Sequence, residues 1–252
     1  MGALLLALQF LTRIPLPFKV KYTAEKLAAG SMVFPLIGML LGAIYYGTAL
    51  LFGMVIPQGA VAGVLIAAMF LLTGGLHLDG FADTMDGMAS GRTGKAMLEI
   101  MKDSSSGAIG VVSVAVILIV RYAGLAALRP GELLPVLLVA PAAGRIVMLA
   151  AMNFFKYAGN SDGLGKPFAD NMKITKFIIA LIYTMLFVWF AGGWLACAAA
   201  VISFGVSAAW LIRVSGRLEG VNGDVYGACS ELTETVYIVM YIVCAGTARL
   251  ML

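Results

Sequence analysis

HLDGFADTMDGMASGRTGKAMLEIMKD, residues 77–103, is the stretch on which the reading of this chain turns. It holds four aspartates (Asp79, Asp83, Asp86 and Asp103), one glutamate (Glu99) and the only histidine, His77, inside an otherwise strongly apolar sequence. Asp79, Asp83 and Asp86 follow an i, i+4, i+7 spacing, which on an α-helix puts all three on one face. Like charges along one stripe repel and weaken the helix that carries them. A divalent cation relieves that repulsion, and Mg²⁺ prefers carboxylate oxygen. The competing reading is a solvated acidic face on a loop helix. Against it stand the apolar flanks and the glycines Gly80, Gly87, Gly91 and Gly94. Each glycine weakens a helix by about 1 kcal/mol relative to alanine, and each makes better sense where the backbone must approach a ligand or another helix.

Of the 252 residues, 62% are hydrophobic and 12% charged, whereas a soluble domain is about half apolar and a quarter charged. The fold class this implies is all-α, a polytopic transmembrane helix bundle in a lipid membrane. Seven candidate spans run over residues 31–54, 58–76, 107–128, 132–154, 174–191, 194–212 and 225–250. Residues 1–18 are shortened by Arg13, Pro15 and Pro17 and read as an interfacial or re-entrant helix packed on the bundle. They carry neither the cationic start nor the cleavage site of a signal peptide. No repeat or low-complexity linker divides the chain, so residues 1–252 form one domain. Cys197, Cys229 and Cys244 lack metal-ligand spacing and read as small buried hydrophobes.

Thirteen of the seventeen lysines and arginines fall on one side of these spans, and only Arg129 and Arg249 on the other. The positive-inside rule then puts the N-terminus, the polar loops and the acidic segment in the cytoplasm. Topology accounts for the net charge of +4, and no nucleic-acid partner is expected. The oligomeric state stays open.

Four polar groups are expected at that face. The first is the aspartate stripe with Asp103, where Lys102 and Arg92 either bind phosphate oxygens, pair with the aspartates or anchor at the interface. The second is Arg145 in the apolar fourth span, facing a partner or a polar cavity unless it snorkels out. The third is the loop NSDGLGKPFADNMK, residues 160–173, whose Gly163, Gly165 and Lys166 either cradle an anion or form an ordinary loop. The fourth is GVNGDVYGACSELTE, residues 220–234, where Asn222 and Asp224 precede the last span and Glu231 and Glu234 intrude into it. Asp224 also reads as a helix cap. His77 reads as a general base, a ligand, a phosphate contact or a structural hydrogen-bonding group. Carboxylates with a cation and nearby bases suit phosphoryl or nucleotidyl transfer.

GGLHLDGFADTMDG (residues 74–87) followed by LEIMKDSSSGAIG (98–110) closely resembles the cobalamin-5′-phosphate synthase family, the adenosylcobinamide-GDP ribazoletransferases. APAAGR (140–145), GLGKPF (163–168) and GVNGDVYGACSE (220–231) also look like that family, so the resemblance covers essentially the whole chain. It implies an Mg²⁺-dependent enzyme of the bacterial or archaeal inner membrane. Its substrates are adenosylcobinamide-GDP and α-ribazole or its 5′-phosphate; its products are GMP and adenosylcobalamin or its phosphate.

On that resemblance Asp83, Asp86 and Asp79 hold Mg²⁺ on the GDP diphosphate. Asp103 either completes the metal shell or accepts the ribazole hydroxyl proton. Lys102 and Arg92 balance charge on departing GMP. Asn222, Asp224 and Glu231 hold the corrinoid or ribazole, with Arg145 and Lys166 as further binding residues and His77 and Asp86 among the catalytic ones. A more distant similarity links Asp83-Thr84-Met85-Asp86-Gly87 to the D-x-x-D-G of CDP-alcohol phosphotransferases. The remainder departs, because Ser90-Gly91-Arg92 stands where that family has an alanine–arginine pair. A lipid-forming phosphotransferase and a cation-coupled transporter are the alternative functions. The transporter fits less well, since most acids cluster in one edge segment and no repeat is visible.

Overall fold

An apolar chain that leaves water must satisfy its backbone polar groups internally, and a helix does so within one segment. The computed structural model describes residues 2–17, 23–103, 105, 107–159, 163 and 165–251. Among these, the only isolated β pairing is a bridge between Tyr157 and Val221, and the rest of the ordered backbone is helical. The elements are α1 (Gly2–Leu11), α2 (Ala24–Ala29), a 3₁₀ turn (Gly30–Val33), α3 (Phe34–Gly53), α4 (Gln58–Thr73), α5 (Leu76–Ala89), α6 (Gly94–Met101), α7 (Ala108–Ala127), α8 (Pro130–Phe154), α9 (Lys166–Asn171), α10 (Ile174–Leu218) and α11 (Gly223–Leu250).

α8 is the central post. Almost every residue from Leu133 to Met152 is buried, whereas the outward faces of α7 and α10 expose Val112, Ile119, Ile182 and Leu186 as lipid-facing surface. α3 closes on α8 through glycine. A Cβ on Gly38 would lie 2.6 Å from the Pro141 carbonyl, and one on Gly42 2.5 Å from that of Leu137. Such small-residue contacts are how helices associate where water supplies no driving force.

Five helices are long and apolar enough to cross a membrane, or six if a bent pair counts as one span, against the seven expected from hydropathy. Two features explain the difference. α4 has only 16 residues and meets α5 at 92° across Gly74 and Gly75, both in left-handed conformation. α10 joins two candidate spans across a single non-helical residue, Gly193. Its start packs Phe177 on Phe154, and its end leads directly to Val221, whose amide donates to the Lys156 carbonyl at 2.8 Å. Gly192 meets Pro135 near the far end of α8. Residues 174–218 therefore leave one end of the bundle, double back at Gly193 and return.

α1 buries Leu6, Ala7 and Leu11 against the bundle, with the Arg13 amide bonded to the Leu72 carbonyl at 2.7 Å. It is packed on the bundle, as the sequence suggests. Lys19 and Lys21, which follow the N-terminal segment, and residues 160–162 and 164 of the glycine-containing loop lie outside the described residues. At one end of the bundle Arg249 pairs with Glu132 at 3.1 Å. At the other, Arg217 donates to the carbonyls of Met88 (2.7 Å) and Arg92 (3.0 Å), tying α10 to α5 and the turn after it.

The crossing of α5 over α11 has no room for a side chain at Gly80, where a Cβ would lie 2.8–2.9 Å from backbone atoms of Asp224. Gly80→Val should destabilise the protein by about 1–3 kcal/mol, as overpacking does. Gly63→Ala on α4, with nothing within 4 Å, should be neutral or gain up to ~1 kcal/mol of helix propensity. Thermal denaturation in detergent compares the two.

Candidate functional site

Glycines on both helices bring α5 and α11 together. Gly80 lies on Asp224, and a Cβ on Gly227 would lie 3.0 Å from the His77 Cα. The N-terminal turns of the two helices are thereby superposed, and the carboxylates they carry become neighbours. Burial first, and then the negative charges of Asp224, Asp79 and Asp86 in that order, push the Asp83 carboxyl up to about 7. α5 is bent sharply out of line with α4, so this group lies outside the five spans. Asp79 is exposed and Asp83 and Asp224 are half-buried.

The third carboxylate of this cluster thus comes from the other end of the sequence. Asp224 is held in place by Asn222, whose Nδ2 donates to Asp224 Oδ2 at 2.9 Å. Asn222 also caps α11, its Oδ1 accepting from the Val225 amide at 3.0 Å. The cap is therefore Asn222 and not Asp224, and Asn222 reaches the site only through its neighbour.

Asp86 has a different position. Its two oxygens accept the amides of Gly107 (2.8 Å) and Gly110 (2.7 Å), anchoring the N-terminus of α7. Both glycines are required for this, since a Cβ on either would lie within 2.4 Å of a carboxylate oxygen. Asp103 stands apart on the exposed loop before α7. Bonds to its Oδ1 from the Ser105 hydroxyl (2.7 Å) and amide (2.9 Å) hold its carboxyl below the usual range. Lys102 and Arg92 are exposed, and Lys102 acts electrostatically on Asp224. Among the described residues, no three His, Cys, Asp or Glu side chains are grouped to hold a metal ion as they stand. The chemistry of the cluster does suit one: hard oxygen donors, whose neighbouring charges raise the proton affinity of Asp83.

Two residues expected at the site belong instead to the buried scaffold. Arg145, 1% exposed, pairs with Glu234 and donates to the Pro141 carbonyl at 3.3 Å. Glu231 pairs with Arg121 at 2.7 Å, while Arg121 also donates to Thr235 Oγ1 and to the Glu231 carbonyl. These pairs tie α8 and α7 to α11 below the acidic cluster. Arg121 lies within the apolar α7 and Glu234 within α11. Lys166 pairs with Asp170 one turn along α9.

The glycine-containing loop does reach the site. Gly165 packs on Gly223, and together with Phe168 it borders a cleft of about 90 Å³. Leu76, His77 and Asp79 of α5, Asp224, Tyr226 and Gly227 of α11, Met148 and Met152 of α8 and Phe10 of α1 complete the lining. Phe10 meets Phe168 at a tilt, ring centroids 5.4 Å apart, and stacks on Phe34 at 6.2 Å. Phe10, Tyr226 and the two methionines escaped sequence reasoning because apolar residues in apolar runs carry no distinguishing signal. Tyr226, two residues after Asp224, was the one with a positional hint.

Comparison with known proteins agrees with the motifs. A family profile described as cobalamin-5-phosphate synthase matches residues 3–242. Adenosylcobinamide-GDP ribazoletransferase of Acetivibrio thermocellus is 38% identical over 94% of this chain and 96% of its own length. The enzyme of the same name from Desulfitobacterium hafniense is 35% identical over 94% and 95%, and that from Clostridium acetobutylicum 31% over 93% of each. No solved structure matches.

Because folding raises Asp83 above the ~4 of a free aspartate, its ionisation opposes folding. That contribution is absent below about pH 4 and grows until pH passes about 7. In metal-free protein, Asp83→Asn should therefore raise the melting temperature more at pH 8 than at pH 5, read from parallel melts. Arg121→Met strands Glu231 and should destabilise by about 3–5 kcal/mol, with most of it restored in Arg121→Met/Glu231→Met. Chemical denaturation of the single and double variants measures both terms.

Proposed function

Because the chain belongs to the cobalamin-5-phosphate synthase family, we propose that it transfers the phosphocobinamide part of adenosylcobinamide-GDP to α-ribazole or its 5′-phosphate, releasing GMP. The observation that carries the chemistry is the close crossing of α5 and α11 at Gly80–Asp224, which brings the helix ends carrying Asp79, Asp83 and Asp224 together. A diphosphate donor is strongly anionic, and acids alone would repel it. Asp79, Asp83 and Asp224 are the residues that would hold Mg²⁺. When bound, the ion supplies charge neutralisation for the diphosphate and the departing GMP.

Each remaining residue has a role set by its position. Asn222 orients Asp224. Asp86 fixes α7 against the acidic face of α5 and so keeps the stripe in register. Lys102, exposed and within electrostatic reach of Asp224, is placed to meet a phosphate oxygen. Asp103, on the same exposed segment, is available to the acceptor hydroxyl as a proton acceptor. The buried Arg–Glu pairs hold α11 under the site and take no part in binding.

The reading includes a multi-pass location in the bacterial cytoplasmic membrane with the acidic site facing the cytoplasm. What supports it is the distribution of charge. Arg92, Lys95, Lys102 and Arg217 surround the site end, while Arg129 and Arg249 mark the other. Neither the lipid-forming nor the transport alternative gains support from the relatives.

Purified protein supplied with adenosylcobinamide-GDP, α-ribazole and Mg²⁺ should release GMP, and omission of either the ion or the acceptor should stop it. Asp83→Asn and Asp224→Asn should each lower turnover by at least 100-fold while the protein stays folded. GMP is quantified by chromatography. CDP-diacylglycerol with an alcohol should yield nothing, and normal turnover of both variants would remove the carboxylate assignment.

A further inference from the structure

The cleft beside the acidic cluster contains polar groups that the transfer step does not use. His77 is 3% exposed, and among the described residues neither ring nitrogen has a hydrogen-bond partner. The Tyr226 hydroxyl is likewise buried and unpartnered. Both side chains line the same cleft. A buried polar group left without a partner costs about 1–3 kcal/mol, and such groups are rare in folded proteins. Two on facing helices, bordering one cavity, require a partner that arrives from outside the chain.

The walls define what that partner is. Phe10, Phe168, Met148 and Met152 present aromatic faces and thioethers with no polar atoms. A largely apolar, flat ring system fits such walls, by stacking and by sulfur–aromatic contact. The cleft holds only about 90 Å³ of interior space and opens toward solvent, far too small for a corrin macrocycle. Guanine carries polar atoms on most of its edge and would leave several unpaired against phenylalanine and methionine. An alkylated benzimidazole carries, once glycosylated, a single in-plane nitrogen acceptor and an otherwise apolar rim.

We propose that this cleft binds the heteroaromatic base of the acceptor nucleoside, with His77 donating to its single in-plane nitrogen, the Tyr226 hydroxyl meeting a hydroxyl of its sugar, and the Phe10/Phe168 and Met148/Met152 walls holding its faces. This rests on the proposed transferase function and adds the location of the acceptor. Asp79 and Asp224 stand on the border of the same cleft, so a base seated there directs its sugar toward the acidic cluster. His77 thereby becomes a specificity residue for the acceptor base and not the general base of the reaction. Purine ribosides are rejected because their exocyclic groups would be stranded against apolar walls.

Binding of α-ribazole and of adenosine is measured by equilibrium dialysis on detergent-solubilised full-length protein without metal or nucleotide. Tyr226→Phe, His77→Leu and His77→Gln are compared with wild type, each checked for folding by size exclusion. Tyr226→Phe keeps the ring and serves if the histidine variants fail to fold. Wild type should bind α-ribazole and not adenosine. Tyr226→Phe and His77→Leu should weaken α-ribazole by about tenfold, and His77→Gln, which keeps hydrogen-bonding atoms, by less. In turnover, KM for α-ribazole should rise by a similar factor while KM for adenosylcobinamide-GDP stays within twofold. Unchanged α-ribazole binding, equal binding of adenosine, or a rise confined to the KM of the nucleotide donor overturns the assignment. Absence of GMP release by wild type that nonetheless binds α-ribazole through these residues overturns the transferase reading and leaves the cleft assignment standing.

Discussion

The close crossing of α5 and α11 is the contact on which the rest of the molecule depends. Two glycines, one on each helix, let the backbones touch at Gly80–Asp224 and Gly227–His77. The crossing forces together carboxylates that separately would face solvent. That arrangement opposes folding: burial first, and then the neighbouring carboxylates, raise the proton affinity of Asp83. Like charges held together by packing store an attraction for cations, and a site for a charged diphosphate needs that property.

The scaffold beneath the crossing meets the opposite problem. α11 carries Glu231 and Glu234 into an apolar bundle, where an unpaired charge is prohibitive. Arg121 from α7 and Arg145 from α8 neutralise them one to one. Buried ion pairs add little net stability compared with apolar packing, yet they punish any other arrangement of the helices. The two pairs therefore define the rotation of α11 about its axis. That rotation decides which way Asp224 and Tyr226 face. Asp86 does the same for α7, using amides in place of a guanidinium.

Much of this was legible in the residues, for physical reasons that can be named. Composition announced a helical membrane bundle, and the i, i+4, i+7 spacing of Asp79, Asp83 and Asp86 announced one acidic face. The glycines of α5 announced a close approach. The partner of that approach was not legible, because Gly80 and Asp224 are separated by more than half the chain and no local pattern encodes such contacts. Asp86 looked identical to its two neighbours on the helical stripe; only the position of α7 separates a capping carboxylate from an open one. Arg145 and Glu231 were read as site residues since a charge in a span usually marks function, and their pairing partners lie on other helices. The span count suffered from a rule based on length: a 16-residue α4 and a doubled-back α10 contain the right apolar content in unusual shapes.

The central proposal is that α5 and α11 jointly supply the ligands of a divalent cation, Asp79, Asp83 and Asp224. Mn²⁺ is a paramagnetic substitute for Mg²⁺, and its electron paramagnetic resonance signal reports free ion directly. Titration of the purified protein should show saturable Mn²⁺ binding that is lost in Asp224→Asn as fully as in Asp83→Asn, while Asp103→Asn retains it. Binding that survives in Asp224→Asn but disappears in Asp103→Asn would contradict the account, since the ion would then belong to the α5–α6 segment alone.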